Sequence, residues 1–198
     1  MSPRWHRAAM ACAGIGLLFL TGCGLQERQE NEERSAGYGR QIEEDLPSLV
    51  RAAGWDSIGA FAENSCLGYA APEKASRETH WTAASGRVGV SEADAGQMAE
   101  QVQRAAEAAG WTSKEGNGPH GDRLYGASKG DITLNVIYRS GAGEPALSLS
   151  LNSPCLEMPA GHVMTRSGLD PMYGSSDPMY PEDDRSKFTN GEPKPLPE

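Results

Sequence analysis

Two stretches of the chain carry apolar residues at helical spacing, and most of what lies between and after them alternates as strands do. Ile42, Leu46, Leu49, Val50 and Ala53 recur at three- and four-residue steps. They form one apolar stripe and predict a helix over residues 38–53. Pro47 falls inside it and predicts a kink or a late start. Ala95, Met98, Ala99, Val102, Ala106 and Ala109 form a second stripe. Ser91 stands where an N-cap belongs, with Glu92 and Asp94 in the first turn, and Gly110 stands where a left-handed stop belongs.

Strands are expected over residues 60–69, 79–90, 111–114, 122–127, 132–138 and 146–152. The last alternates best, with Leu147, Leu149 and Leu151 on one face and Ser148 and Ser150 on the other. Short Gly-rich links between consecutive strands, Ser128-Lys129-Gly130 and residues 140–145, predict an antiparallel meander. The fold class is therefore α+β. We expect a two-layer sandwich, a mainly antiparallel sheet with two helices on one face and one disulfide.

Each helix stops in the same four residues, Ala52-Ala53-Gly54-Trp55 and Ala108-Ala109-Gly110-Trp111. The tryptophans could be paired ligand anchors. A helix stop needs an apolar residue just there to fold back on the last turn, so core filling is the preferred reading.

Outside this central region the pattern changes twice. Residues 24–37 are charged and polar, with almost nothing to bury, and read as a flexible tether. From Leu156 onward seven prolines and many acids follow, and residues 158–198 read as a disordered Pro-rich acidic tail. The tail repeats a tetrapeptide, Asp170-Pro171-Met172-Tyr173 and Asp177-Pro178-Met179-Tyr180. The repeat is a bivalent partner motif, low-complexity drift, or an arm packed on its own domain.

The N-terminus is an address. Arg4 and Arg7 precede an uncharged run from Ala8 to Leu20, which is shorter than the roughly 20 apolar residues that span a bilayer. The run closes on Leu20-Thr21-Gly22-Cys23 and resembles the lipobox of bacterial lipoproteins. That resemblance implies cleavage between Gly22 and Cys23, removal of residues 1–22, and acylation of Cys23. Two or more acyl chains anchor a protein stably where one does not. The expected location is the outer face of the cell membrane.

The whole chain has a formal net charge of −9, and loss of Arg4 and Arg7 makes the mature form more acidic still. This argues against nucleic acid or an anionic bilayer surface as the main partner. Of four cysteines, Cys12 leaves with the signal and Cys23 takes lipid, so Cys66 and Cys155 are expected to form a disulfide in an oxidising compartment. Closing a loop of that length stabilises a fold by roughly 4 kcal/mol. A metal site on both thiols with His80, His120 or His162 is the alternative, though no Cys-x-x-Cys pair is present.

No nucleophile elbow, zinc-protease helix or phosphate loop is found, so catalytic residues and cofactors are assigned none. Residues 117–122, with His120 beside Asp122, make a Gly-rich tip that suits catalysis poorly. Glu43, Glu44 and Asp45 read as a solvated helix surface.

The order of features resembles the small actinobacterial lipoproteins of the LppA type. The features are the lipobox, the polar linker, Gly54-Trp55, Cys66, Trp81, Gly110-Trp111, and Asn152-Ser153-Pro154-Cys155. The resemblance covers residues 1–158 and implies a fold and a location but no activity. The function expected is a non-enzymatic binding or interaction module of the envelope, whose partner is an envelope protein or a small ligand. The alternatives are an accessory factor recruiting through its tail and a hydrolase of unfamiliar design. A binding module should offer an apolar pocket or a patch on the sheet, and a recruiter a mobile tail. An enzyme should show titratable groups converging in a cleft.

Overall fold

The structure is a computed structural model describing residues 20–68, 72–114, 123–141 and 143–197, with the side chains of 20–25, 72, 73 and 123 left aside. Residues 1–19, most of the expected signal, and residues 115–122, with the expected His120 tip, lie outside these ranges. Helix α1 runs Leu20–Ala52, followed by strand β1 Ala60–Ser65, the one-turn helix α2 Pro72–Ala75, strand β2 Glu78–Val88 and helix α3 Glu92–Ala108. Strands β3 Thr112–Ser113, β4 Arg123–Lys129, β5 Ile132–Arg139, β6 Ala146–Asn152 and β7 Leu156–Glu157 complete the sheet, and a short 3-10 turn spans Arg185–Lys187.

The sheet is antiparallel throughout, in the order β1-β2-β6-β5-β4-β3, with β7 on the lower part of β2. Both long helices pack on one face, so the architecture is the expected two-layer α+β sandwich. Strict alternation places Leu147, Leu149 and Leu151 of β6 inward, beside Leu134 and Val136 of β5. Ile42, Leu46, Leu49 and Val50 of α1 and Val102 of α3 meet them from above.

Ser91 caps α3 as its sequence predicts, its hydroxyl accepting from the Asp94 N–H at 3.1 Å. Both helix stops follow one geometry. The Trp55 N–H reaches back to the Val50 carbonyl (3.1 Å) and the Trp111 N–H to the Ala106 carbonyl (2.9 Å), across Gly54 and Gly110 at positive φ. Both tryptophans are buried, which makes them core filling and not ligand anchors.

Two regions differ from expectation. The segment 24–37, read as a tether, is helical, and α1 passes through Pro47 without ending. Its outer half is held by polar contacts that apolar periodicity does not register. Asn31 donates to the Glu157 carbonyl (3.0 Å), Arg28 pairs with Glu157, and Ser35 donates to Glu63 (3.0 Å). Asp45, in the acidic run expected on the surface, is buried and pairs with Lys129 Nζ at 2.9 Å.

The second difference is the tail, which is folded onto the domain. It climbs the outer edge of β1, where the Glu63 N–H donates to the Thr165 carbonyl (2.9 Å) and the Ser167 N–H to the Phe61 carbonyl (3.0 Å). Ala62 and Arg166 form an antiparallel bridge there. The tail then reaches the far end of α1, where Ser57 bridges Pro195 and Arg51 donates to the Pro197 carbonyl. An edge strand with unpaired backbone groups invites association with other chains, and the tail covers this one.

Candidate functional site

Glu63 occupies a core-facing position of β1, opposite Trp81 of β2, with its side chain 1% exposed. Its carboxylate is a hub with four contacts from three parts of the chain. Ser35 Oγ of α1 donates at 3.0 Å, Thr79 Oγ1 of β2 at 2.5 Å, the Thr165 N–H at 3.2 Å, and His162 Nε2 lies at 3.0 Å. His162 Nδ1 lies 3.2 Å from Glu32 of α1, so the imidazole bridges two carboxylates. The Tyr180 hydroxyl donates to the Glu63 carbonyl at 2.8 Å. A cleft of about 360 Å3 opens over this cluster, lined by Glu32, Glu63, Trp81, His162, Thr165 and Glu182 among others.

The charges hold each other in place. Burial pushes the Glu63 pKa up, but hydrogen bonds from His162, Thr79 and Ser35, with the His162 charge, outweigh it and leave the carboxyl below its usual range. Burial pulls His162 down, but its bonds to Glu63 and Glu32 outweigh it and hold the imidazole above its usual value. Each group thus favours the charged form of the other, carboxylate at Glu63 and imidazolium at His162. The order of groups bears on the chemistry. In a hydrolytic triad the imidazole stands between hydroxyl and carboxylate, so that it can take the hydroxyl proton. Here the carboxylate stands between Ser35 and His162, and Ser35 is 4% exposed. The geometry fastens elements together and does not activate a nucleophile.

Beyond the hub, Arg166 gathers the two tetrapeptide repeats. In each, the Asp side chain accepts the N–H of the Met (2.7 Å at Asp170, 2.9 Å at Asp177) and the Asp carbonyl accepts the N–H of the Tyr (3.1 Å in both). These are two copies of one Asx-Pro turn. The Arg166 guanidinium reaches Asp177 at 3.0 Å, Asp183 at 3.2 Å and Asp170 at 3.9 Å. Its carbon lies 3.9 Å from the centre of the Tyr180 ring, and Lys194 lies 5.0 Å from that of Tyr173. The repeat is a turn used twice to pack the arm on its own domain.

Cys66 and Cys155 are joined in a disulfide with Cα atoms 6.2 Å apart. His80 Nδ1 lies 3.2 Å from Cys66 Sγ, and burial holds its pKa below the usual value. Of the alternative metal set, Cys66, His80 and Cys155 do come together, their ligand atoms within 4.8 Å of one another, but the two sulfurs are bonded to each other and neither is a thiolate; His162 belongs to the Glu63 cluster. Gly22 and Cys23 lie in the first turn of α1. Among the described residues no helix is long and apolar enough to cross a membrane.

On the face away from the helices, the sheet presents small, mostly polar side chains in register across three strands. Thr82, Asn152 and Thr133 form one row, and Ala84, Ser150 and Asn135 the next. All are half-buried, and none is charged. Neither Glu63, His162 nor Arg166 belongs to a sequence motif. The one signal was an acid at an inward strand position, between Phe61 and Ser65.

Comparisons with protein-family models, with characterised proteins and with solved structures find no match to this chain.

Proposed function

We propose that this protein is an extracytoplasmic lipoprotein, anchored to the outer face of the cell membrane through Cys23, that serves as a non-enzymatic binding or interaction module of the envelope. The observation that carries the reading is the Cys66–Cys155 disulfide, which joins the two cysteines left once the lipobox has used Cys23. Persistent disulfides belong to oxidising compartments, where the lipobox also directs the chain. Its resemblance to the LppA type agrees with that location.

Two features support binding over catalysis. The buried charges at Glu63 are consumed in fastening, as argued above. The outer face of the sheet also offers two adjoining rows of small uncharged side chains, Thr82, Asn152 and Thr133 beside Ala84, Ser150 and Asn135, and such a surface suits a polar partner. The packed tail favours the domain, and not the tail, as the part that meets a partner.

Growing cells with labelled palmitate tests the anchor. Label should enter the wild-type chain and be absent from Cys23→Ser, which should leave the membrane fraction or persist uncut. A wild-type chain that takes no label refutes the anchor. Photo-crosslinking from Ser150 on the open face and from Lys187 on the tail then tests the surface. A partner caught from Lys187 alone transfers the function to the tail.

A further inference from the structure

We propose that one defined end of the domain, the turn after β1 together with α2 and the cleft beside Arg28, rests on the phospholipid headgroups, with α1 as a rigid strut that fixes this orientation. The inference rests on acylation of Cys23. Five helical steps lead from Cys23 to Arg28 in α1. At 1.5 Å of rise each, that is about 7.5 Å, comparable to one headgroup layer, which is roughly 5–7.5 Å thick. Arg28 is also where the helix first meets the domain, through Glu157 at 3.4 Å, and Asn31, His162-bound Glu32 and Ser35 pin the next two turns. A coil of the same residues would let the domain tumble, whereas a helix docked at four successive points does not.

The end brought to the bilayer has the chemistry for it. A cleft of about 510 Å3 opens there, lined by Arg28, Leu67, Arg77, Glu157, Pro159 and Gly161 among others. Leu67 is 49% exposed, one of four large apolar side chains left in water among the described residues. Lys74 and Arg77 are exposed, and neither has an ion-pair partner among the described residues. A leucine at headgroup depth leaves water while neighbouring cations meet lipid phosphates. The acidic charge of the chain as a whole does not oppose this. The anchor supplies the proximity, and a weak local contact suffices once the two surfaces are tethered. The opposite end, with Gly54 and Pro195, points away from the membrane, because α1 and the climbing tail both run toward it.

The mature chain, starting at Cys23, can be coupled through that thiol to maleimide-phosphatidylethanolamine in vesicles of phosphatidylethanolamine and phosphatidylglycerol, since the other two cysteines are bonded. Acetylation of individual lysines is then followed by mass spectrometry. Lys74 should react several-fold more slowly on vesicles than in free protein, with Lys187 unchanged. A flexible Gly-Ser insert after Cys23 should abolish that protection. Equal reactivity of Lys74 on and off the vesicle overturns the proposal, and so does protection that survives the insert. Because the coupling is chemical, either failure stands apart from failure of the palmitate label, which would overturn the anchor itself.

Discussion

Replacing Arg166 with alanine should undock the tail at a cost of about 4 kcal/mol. The guanidinium is 6% exposed and faces Asp170 and Asp183, each 5% exposed, and Asp177 at 35%. Removing one partner from a buried ion pair costs about 3–5 kcal/mol, because the remaining charge is left without compensation. The lower end applies here. Asp170 keeps bonds from the N–H groups of Phe61 and Met172, Asp183 keeps one from Gly174, and Asp177 can turn to water. Loss of the contact with the Tyr180 ring adds on the order of 1 kcal/mol. Urea unfolding followed by tryptophan fluorescence measures the total. Hydrogen exchange at the Phe61 and Glu63 amides reports the docking, since their acceptors are the Asp170 side chain and the Thr165 carbonyl. Arg166→Lys should fall between the two, because an ammonium cannot span three carboxylates as the guanidinium does. A loss below about 1 kcal/mol, with both amides still protected, would refute the claim that Arg166 holds the arm.

Three further outcomes follow from the same packing. Gly39→Ala puts a methyl 2.8 Å from two carbons of the Trp81 indole, so it should destabilise by about 1–3 kcal/mol despite alanine's better helix propensity, as measured by thermal melts. Cys66→Ser with Cys155→Ser should cost about 2–5 kcal/mol in urea midpoint, and equal stability would mean that the loop is already closed without the bond. The His162–Glu63 pair makes stability depend on pH. The part due to His162, whose folded pKa is raised above 6.5, is complete below that value and lost as pH rises through the folded pKa. The part due to Glu63, whose folded pKa lies below 4.5, is present above that value and lost as pH falls through the folded one. The stability difference between wild type and His162→Gln should therefore be largest from about pH 4.5 to 6.5, and a pH-independent difference would deny the pairing.

The elements legible in the sequence are those whose apolar spacing is regular and whose caps are local. Helix α3 with Ser91 and Gly110, strands β5 and β6, and both Gly-Trp stops belong to this class. The outer half of α1 and the tail do not. Their positions depend on single polar residues meeting partners about a hundred residues away, as Ser167 meets Glu43 and His162 meets Glu63. No periodicity records such a contact, and the Pro-rich, acidic composition of the tail resembles that of solvated segments. Local chemistry did mark the two Asp-Pro turns. Arg166, one ordinary-looking arginine, gathers them, and contacts such as His162 and Tyr180 on Glu63 hold the arm to the domain.

One consequence concerns where the folding unit ends. A domain cut at residue 157 would keep every residue of the apolar sheet core yet lose the strand-like cover of β1, its partner for the Phe61 N–H, and the imidazole facing Glu63. Glu63 would then be an ionised group in a half-closed site, and its edge would be open to pairing with other chains. Deleting the tail thus changes the domain itself, and a partner lost on truncation says nothing of where that partner binds. Point substitutions on exposed tail positions such as Lys187, or Met172 at 45% exposure, probe the tail while leaving Arg166 and His162 in place.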